Sequence, residues 1–235
     1  GSSIFKSFSF PAGANQIVRQ YDDTGLTPGS GSVVIASSQP LGAMVQEIVR
    51  TGVPSSGAYT GIDAPSAVWY IPLLARRGGS ATGIANSQII VQNVGTSAVN
   101  FSVALYALGA STPTYTKNYT GIAAGASALY DLDEETNLPT GFWGSAVVST
   151  ASGSLGVVTN LFFGADSLNA YNAFPQEAVD DTWYVPLLYV RLGNSLTTSL
   201  SIQNLSGASI PVGGLTLFCT KNPSAPGAGT ISLSN

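Results

Sequence analysis

Six residues, Trp69-Tyr70-Ile71-Pro72-Leu73-Leu74, return 114 positions later as Trp183-Tyr184-Val185-Pro186-Leu187-Leu188. Gln92-Asn93 returns at Gln203-Asn204, Gly13-Ala14 at Gly125-Ala126, Leu26 at Leu138, Gly31-Ser32 at Gly144-Ser145 and Ala58-Tyr59 at Ala170-Tyr171, with shifts of 111 to 114. A spacing that drifts so little along the chain marks repeated copies of one supersecondary unit that differ by one- or two-residue loop changes. A chain of 235 residues holds two such units of about 112.

The unit is built from strands. Val99, Phe101, Val103 and Leu105 alternate with Asn100, Ser102, Ala104 and Tyr106, the period of two that a half-buried strand requires. Similar segments in the first copy are predicted at Phe5–Phe10, Gln16–Tyr21, Ser32–Ser37, Leu41–Val49, Val68–Leu74, Gln88–Val94 and Asn100–Leu108. Turn formers separate them, among them Pro28-Gly29-Ser30-Gly31, Pro54-Ser55-Ser56-Gly57, Gly78-Gly79-Ser80 and Pro139-Thr140-Gly141. The best helix candidate, Pro175 to Val179, is a single turn. Seven short strands in one repeat is the size of an immunoglobulin-like sandwich. The expected fold is all-β: two tandem immunoglobulin-like β-sandwich domains and an extra C-terminal strand.

A repeat sets the period but not the phase. Copies counted from the start give domains at 1–112 and 113–224 and a tail at 225–235; copies counted from Trp69 give a half, a whole and a half. The first phase is the expected one. The tail segment Gly229 to Ser234 then reads as a lone strand resembling Gly13 to Val18.

An unpaired strand exposes a row of amide and carbonyl groups that natural proteins cover or pair. The tail can close an edge of its own domain or complete a sheet in a neighbouring molecule by strand addition. A heterologous contact of that second kind repeats into an open filament. Candidate interface residues are Thr230, Ile231 and Leu233 in the tail, with Ile4, Phe5, Phe8 and Phe10 at the other end. The matching stretch Thr116 to Ile122 is far more polar.

Composition narrows the partners. Asp, Glu, Lys and Arg make up 9% of the chain, against roughly 25% in ordinary soluble domains. So weakly charged a surface suits a chain packed into an assembly or covered by glycans. A net charge of −4 and no basic cluster beyond Arg76-Arg77 argue against nucleic acid. No apolar run approaches the ~20 residues of a spanning helix, so no membrane insertion is expected. Gly1-Ser2-Ser3 reads as a processed start or a cloning remnant.

Catalytic and metal chemistry find little material. The chain has no histidine and one cysteine, Cys219, which removes the ordinary nucleophile–base triad and any disulfide framework. Asp22-Asp23 and Glu134-Glu135 recur at one repeat position near Asp131 and Asp133. They suggest oxygen ligands for calcium but lack the spacing of a known loop, and a solvated turn is expected instead. Adjacent acids on a strand face opposite ways and do not form the facing pair of a glycosidase. No enzymatic activity, cofactor or metal is expected. Trp69 and Trp183 are expected to anchor a core, and Trp143, which the first copy lacks, to serve one particular site. Asn100, Asn118 and Asn204 fit the N-glycosylation pattern.

The paired Trp-Tyr-[Ile/Val]-Pro-Leu-Leu, Gln-Asn and Gly-Ser-x-Val-Val elements resemble immunoglobulin-like repeats of secreted prokaryotic cell-surface and filament proteins. That resemblance implies an extracellular structural or adhesive role, with the protein itself as partner. The second expectation is a secreted carbohydrate-binding or adhesin module that presents Trp and Tyr to glycans.

Overall fold

The computed structural model describes residues 5–22, 25–26, 28–50, 54–79, 84–164, 167–187, 189 and 197–217. Its strands are β1 (Met44–Val49), β2 (Ser55–Thr60), β3 (Val68–Arg76), β4 (Ala85–Asn93), β5 (Val99–Ala107), β6 (Tyr115–Ile122), β7 (Ser127–Asp131), β8 (Phe142–Ser149), β9 (Leu155–Phe163), β10 (Ser167–Asn172) and β11 (Phe174–Pro175). The protein is all-β, with every strand pair among the described residues antiparallel. Helical turns are confined to 3-10 segments at Gln20–Asp22 and Gln176–Ala178 among the described residues.

Two sheets face each other across one core. The four-stranded sheet runs β10-β9-β4-β7 and the five-stranded sheet β11-β3-β8-β5-β6. Alternation accounts for the packing: Val99, Phe101, Val103 and Leu105 of β5 turn inward with Trp69 and Ile71 of β3 and meet Ile89, Val91, Leu155 and Val157 from the opposite sheet. Each such apolar side chain contributes ~1.5–3 kcal/mol relative to exposure. The outer strand β6 alternates polar positions outward and carries Lys117 and Asn118, features that discourage edge-to-edge pairing.

This sandwich occupies a different frame from the expected one. The 112/113 boundary falls in the connection between β5 and β6, which pair from Val99↔Ile122 to Leu105↔Tyr115. The strands follow the phase that starts at Trp69, and nine of them, β3 to β11, make up the sandwich. The segments predicted at 5–10, 16–21 and 32–37 carry no strand, and Pro54 to Gly57, read as a turn, runs into β2. Short alternating stretches acquire ladder bonds only where a partner strand reaches them, and that partner is set by topology.

Trp69 joins the two sheets. Its indole N–H donates to the Ser66 carbonyl at 3.1 Å and to the Leu155 carbonyl of β9 at 2.9 Å, so a large apolar side chain is buried with its polar atom satisfied. Pro72 lies where the β3–β8 register shifts between Ile71 and Leu74. The Tyr171 hydroxyl donates to the Leu73 carbonyl at this irregularity.

Candidate assembly interface

The hairpin β1–β2 is a structural copy of β9–β10. Val45 pairs with Tyr59 and Gln46 with Ala58, while Thr159 pairs with Tyr171 and Asn160 with Ala170. The repeat that equates Ala58-Tyr59 with Ala170-Tyr171 therefore equates Val45 and Gln46 with Thr159 and Asn160, and the six-residue register is the same in both hairpins.

The two copies also touch through residues near equivalent positions. Thr60 donates from its amide and its hydroxyl to Asn172 Oδ1, each at 3.0 Å, and Asn172 Nδ2 donates back to the Thr60 carbonyl at 2.8 Å. Asn160 Nδ2 donates to Glu47 at 2.6 Å. A Cβ on Gly57 would lie 2.6 Å from the Ala170 backbone nitrogen, so a side chain is excluded at that approach. Contacts between equivalent surfaces are the mark of a pseudo-two-fold interface. They cover β9 on the side away from the core, which explains why Leu155 to Leu161 are buried without interruption.

Flanking segments repeat the sandwich's pattern without its burial. Trp183 is 56% exposed where Trp69 is 2% exposed. Val33, Ile35, Val185, Leu200 and Ile202 are 43–63% exposed, while their counterparts Ala146, Val148, Ile71, Ile89 and Val91 are at most 1% exposed. Local bonds of the repeat are nonetheless in place. Trp183 Nε1 donates to the Asp180 carbonyl at 3.0 Å, as Trp69 does to Ser66. Asn204 Nδ2 donates to the Ala208 carbonyl and its Oδ1 accepts from the Ser206 amide, as Asn93 does with Ser97 and Gly95.

Of the expected interface residues, Phe5, Phe8 and Phe10 are exposed, and Phe8 lines an open depression with Lys6, Ile17, Val18, Arg19 and Asp22. Ile4, Thr230, Ile231 and Leu233 lie outside the described residues, as do Cys219 and Asp23. Sequence reasoning missed the larger apolar set in 183–217 because it took those positions as the core of a second finished domain.

The charged candidates have structural partners. Arg76 is buried and donates to the Leu138 carbonyl at 2.8 Å, and Arg77 pairs with Asp133 at 2.6 Å, so the double arginine forms no basic patch. Asp131 accepts from Gln88 and from the Asp133 amide. Among the described residues no group of three or more His, Cys, Asp or Glu is placed to hold a metal ion, and no helix is long and apolar enough to cross a membrane.

Glu135 departs from the expected solvated turn. It is buried, accepting from Tyr130 Oη at 2.9 Å, from the Asn137 amide at 3.0 Å and from Asn137 Nδ2 at 2.7 Å, with Lys117 Nζ at 3.5 Å. Burial pushes its carboxyl up, but these donors and the lysine charge outweigh burial and hold it below the ordinary 4.5. A depressed folded pKa contributes stability that is present above the unfolded value and is lost as pH falls through the folded one. Glu135→Gln is expected to cost about 2 kcal/mol at neutral pH. In urea titrations its deficit against the parent should shrink below about pH 4.5. A deficit independent of pH would contradict an ionised Glu135. Glu47 has the opposite sense, burial raising its carboxyl against the Asn160 bond, so the informative quantity is the difference between parent and variant. Tyr119, half-buried nearby, is pushed up to about 12, first by burial and then by the Glu135 charge.

Trp143 is half-buried and packs on the small cluster of Ala75, Ala85 and Leu161. Asn100 and Asn118 are exposed on β5 and β6, with Asn100 Oδ1 accepting from the Gly121 amide. Asn204 is exposed with its amide engaged as above.

No protein-family model matches the chain, and no curated protein matches it. A solved structure described as the crystal structure of Thermotoga maritima 1070 is similar at 11% identity over 50% of this chain and 100% of that one, with a TM-score of 0.38.

Proposed function

We propose that this protein is a structural subunit of an extracellular filament or surface layer, made of tandem immunoglobulin-like sandwich repeats and growing head-to-tail by β-strand complementation. The observation that carries the reading is the exposed apolar pattern of the described residues within 183–217 and 5–41, which reproduces positions buried in the folded sandwich. Apolar surface of that extent on a chain with 9% charged residues favours association. The chemistry is that of packing rather than catalysis, and the partner is the protein itself. The tail at 225–235 is the candidate donor strand.

Electron microscopy of the full chain across a concentration series, beside the same chain ending at Ser224, tests this. Filaments or sheets from the full chain, lost or shortened in the truncation, are expected. Monodisperse particles from both at all concentrations would sink the proposal.

A further inference from the structure

We propose that the joint between subunits is a divided sandwich: the described residues of 183–217 in one chain complete a sandwich with the β1–β2 hairpin and the described residues that precede it in a second copy, with the 197–204 segment adding as a strand to β1. This rests on the self-assembly proposed above and extends it from a single tail strand to half a core.

The two segments are complementary halves of the unit. Residues 183–217 carry the pattern of β3, β4 and β5. Residues 5–60 carry that of the strands after them, ending in the β1–β2 hairpin that copies β9–β10 in register. Within the folded sandwich β9 bonds β10 on one side and β4 on the other. Among the described residues β1 and β2 form a sheet of two, so the β4 side of β1 is the seat, and the 197–204 segment is the repeat's β4.

Residue positions define the joint. Ile90 pairs with Val158 in the folded sandwich, and the repeat carries that pair to Ser201 and Met44. The bonds that tie the local motifs to the rest of the sandwich correspond as well. Trp69 donates both to Ser66 and to Leu155; Trp183 has the first bond, to Asp180, and the counterpart of Leu155 is Leu41, 114 residues earlier. Asn93 donates both to Ser97 and to Ile122; Asn204 has the first, to Ala208, and the counterpart of Ile122 is Phe10, 112 residues earlier.

Within one chain the 197–204 segment and the β1–β2 hairpin lie against different sheets. Ser201 donates to the Pro72 carbonyl and Gln203 to the Ala146 carbonyl, both on the five-stranded sheet, whereas β1–β2 covers β9 and β10 of the four-stranded one. Two sheets separate them, a span of about 10 Å between sheet planes. A second copy brings complementary halves together without dismantling either docking surface first, and repetition gives a continuous row of sandwiches with each chain break inside one.

Disulfide trapping between chains tests this on full-length protein carrying Cys219→Ser. One preparation adds Met44→Cys and another Ser201→Cys; both residues are exposed, so neither change disturbs a core. Cross-strand neighbours lie within the ~4.4–6.8 Å Cα separation a disulfide spans. Mixing the two under mild oxidation is expected to give a mixed dimer joined at 44–201, at least tenfold more abundant than that from Met44→Cys mixed with Ser199→Cys, which is out of register. If the mixture gives no mixed dimer while a chain bearing both cysteines closes within a monomer, the halves join in one chain and the inference is overturned. If neither links but filaments still form and depend on 225–235, the inference fails and the tail-strand assembly stands. If neither links and nothing assembles, both fail.

Discussion

Trp69→Ala should lower the unfolding free energy of the dilute monomer by about 4 kcal/mol, while Trp183→Ala should change it by less than about 1 kcal/mol. The residues occupy the same position of the same hexapeptide, so the difference isolates tertiary context. Trp69 is enclosed between the sheets, with its N–H shared by Ser66 and Leu155. Its removal leaves a cavity and takes one of two donors from each of these carbonyls, which still accept from each other's backbone amides. Trp183 meets the Phe174 ring edge-on at 5.2 Å and is otherwise half open to solvent. Urea denaturation followed by circular dichroism distinguishes the cases. At concentrations where filaments form the ranking should reverse in the assembly assay, because Trp183 would then occupy the core position of the joint. Equal losses in the monomer would show that 183–217 already sits in a finished second sandwich.

Gly144→Ala is the second large effect. A Cβ there would lie 1.9 Å from the Tyr106 carbonyl oxygen and 2.8 Å from the Phe142 ring. A backbone oxygen cannot swing aside as a side-chain terminus can, so β5 and β8 must separate between Ala107 and Tyr106. Overpacking of this kind costs about 3 kcal/mol. The repeat equivalent Gly31 has open space where its Cβ would point, and Gly31→Ala should stay within about 0.5 kcal/mol in the monomer. Thermal unfolding of both variants checks the pair; a Gly31→Ala loss matching that of Gly144→Ala would mean residues 29–36 are already strand-paired.

Much of the central sandwich is legible in the sequence. The alternation from Val99 to Leu105 marks β5 and its buried face, and the aromatic anchor at Trp69 was recognisable from its recurrence. β2 was not legible, because Ser55-Ser56-Gly57 has turn composition; its glycine answers to the nearby Ala170 backbone, a contact between residues 113 apart. Glu135 was equally hidden. Two adjacent acids read as solvated, and only the arrival of Tyr130, Asn137 and Lys117 around one of them makes it an internal hydrogen-bond centre.

What the sequence by itself determined is the strand class, the length of the unit and the local bonds that travel with each copy. The Trp183–Asp180 and Asn204–Ala208 contacts form even where the surrounding core is open, because their partners lie three or four residues away. The tertiary structure decided the phase. Every copy carries the same alternation, so nothing local says whether a strand at 99–107 pairs with one before it or with one across the 112/113 boundary. That choice rests on long-range ladders such as β5 with β6 and β8 and on shared burial across two sheets, which depend on where the whole chain runs.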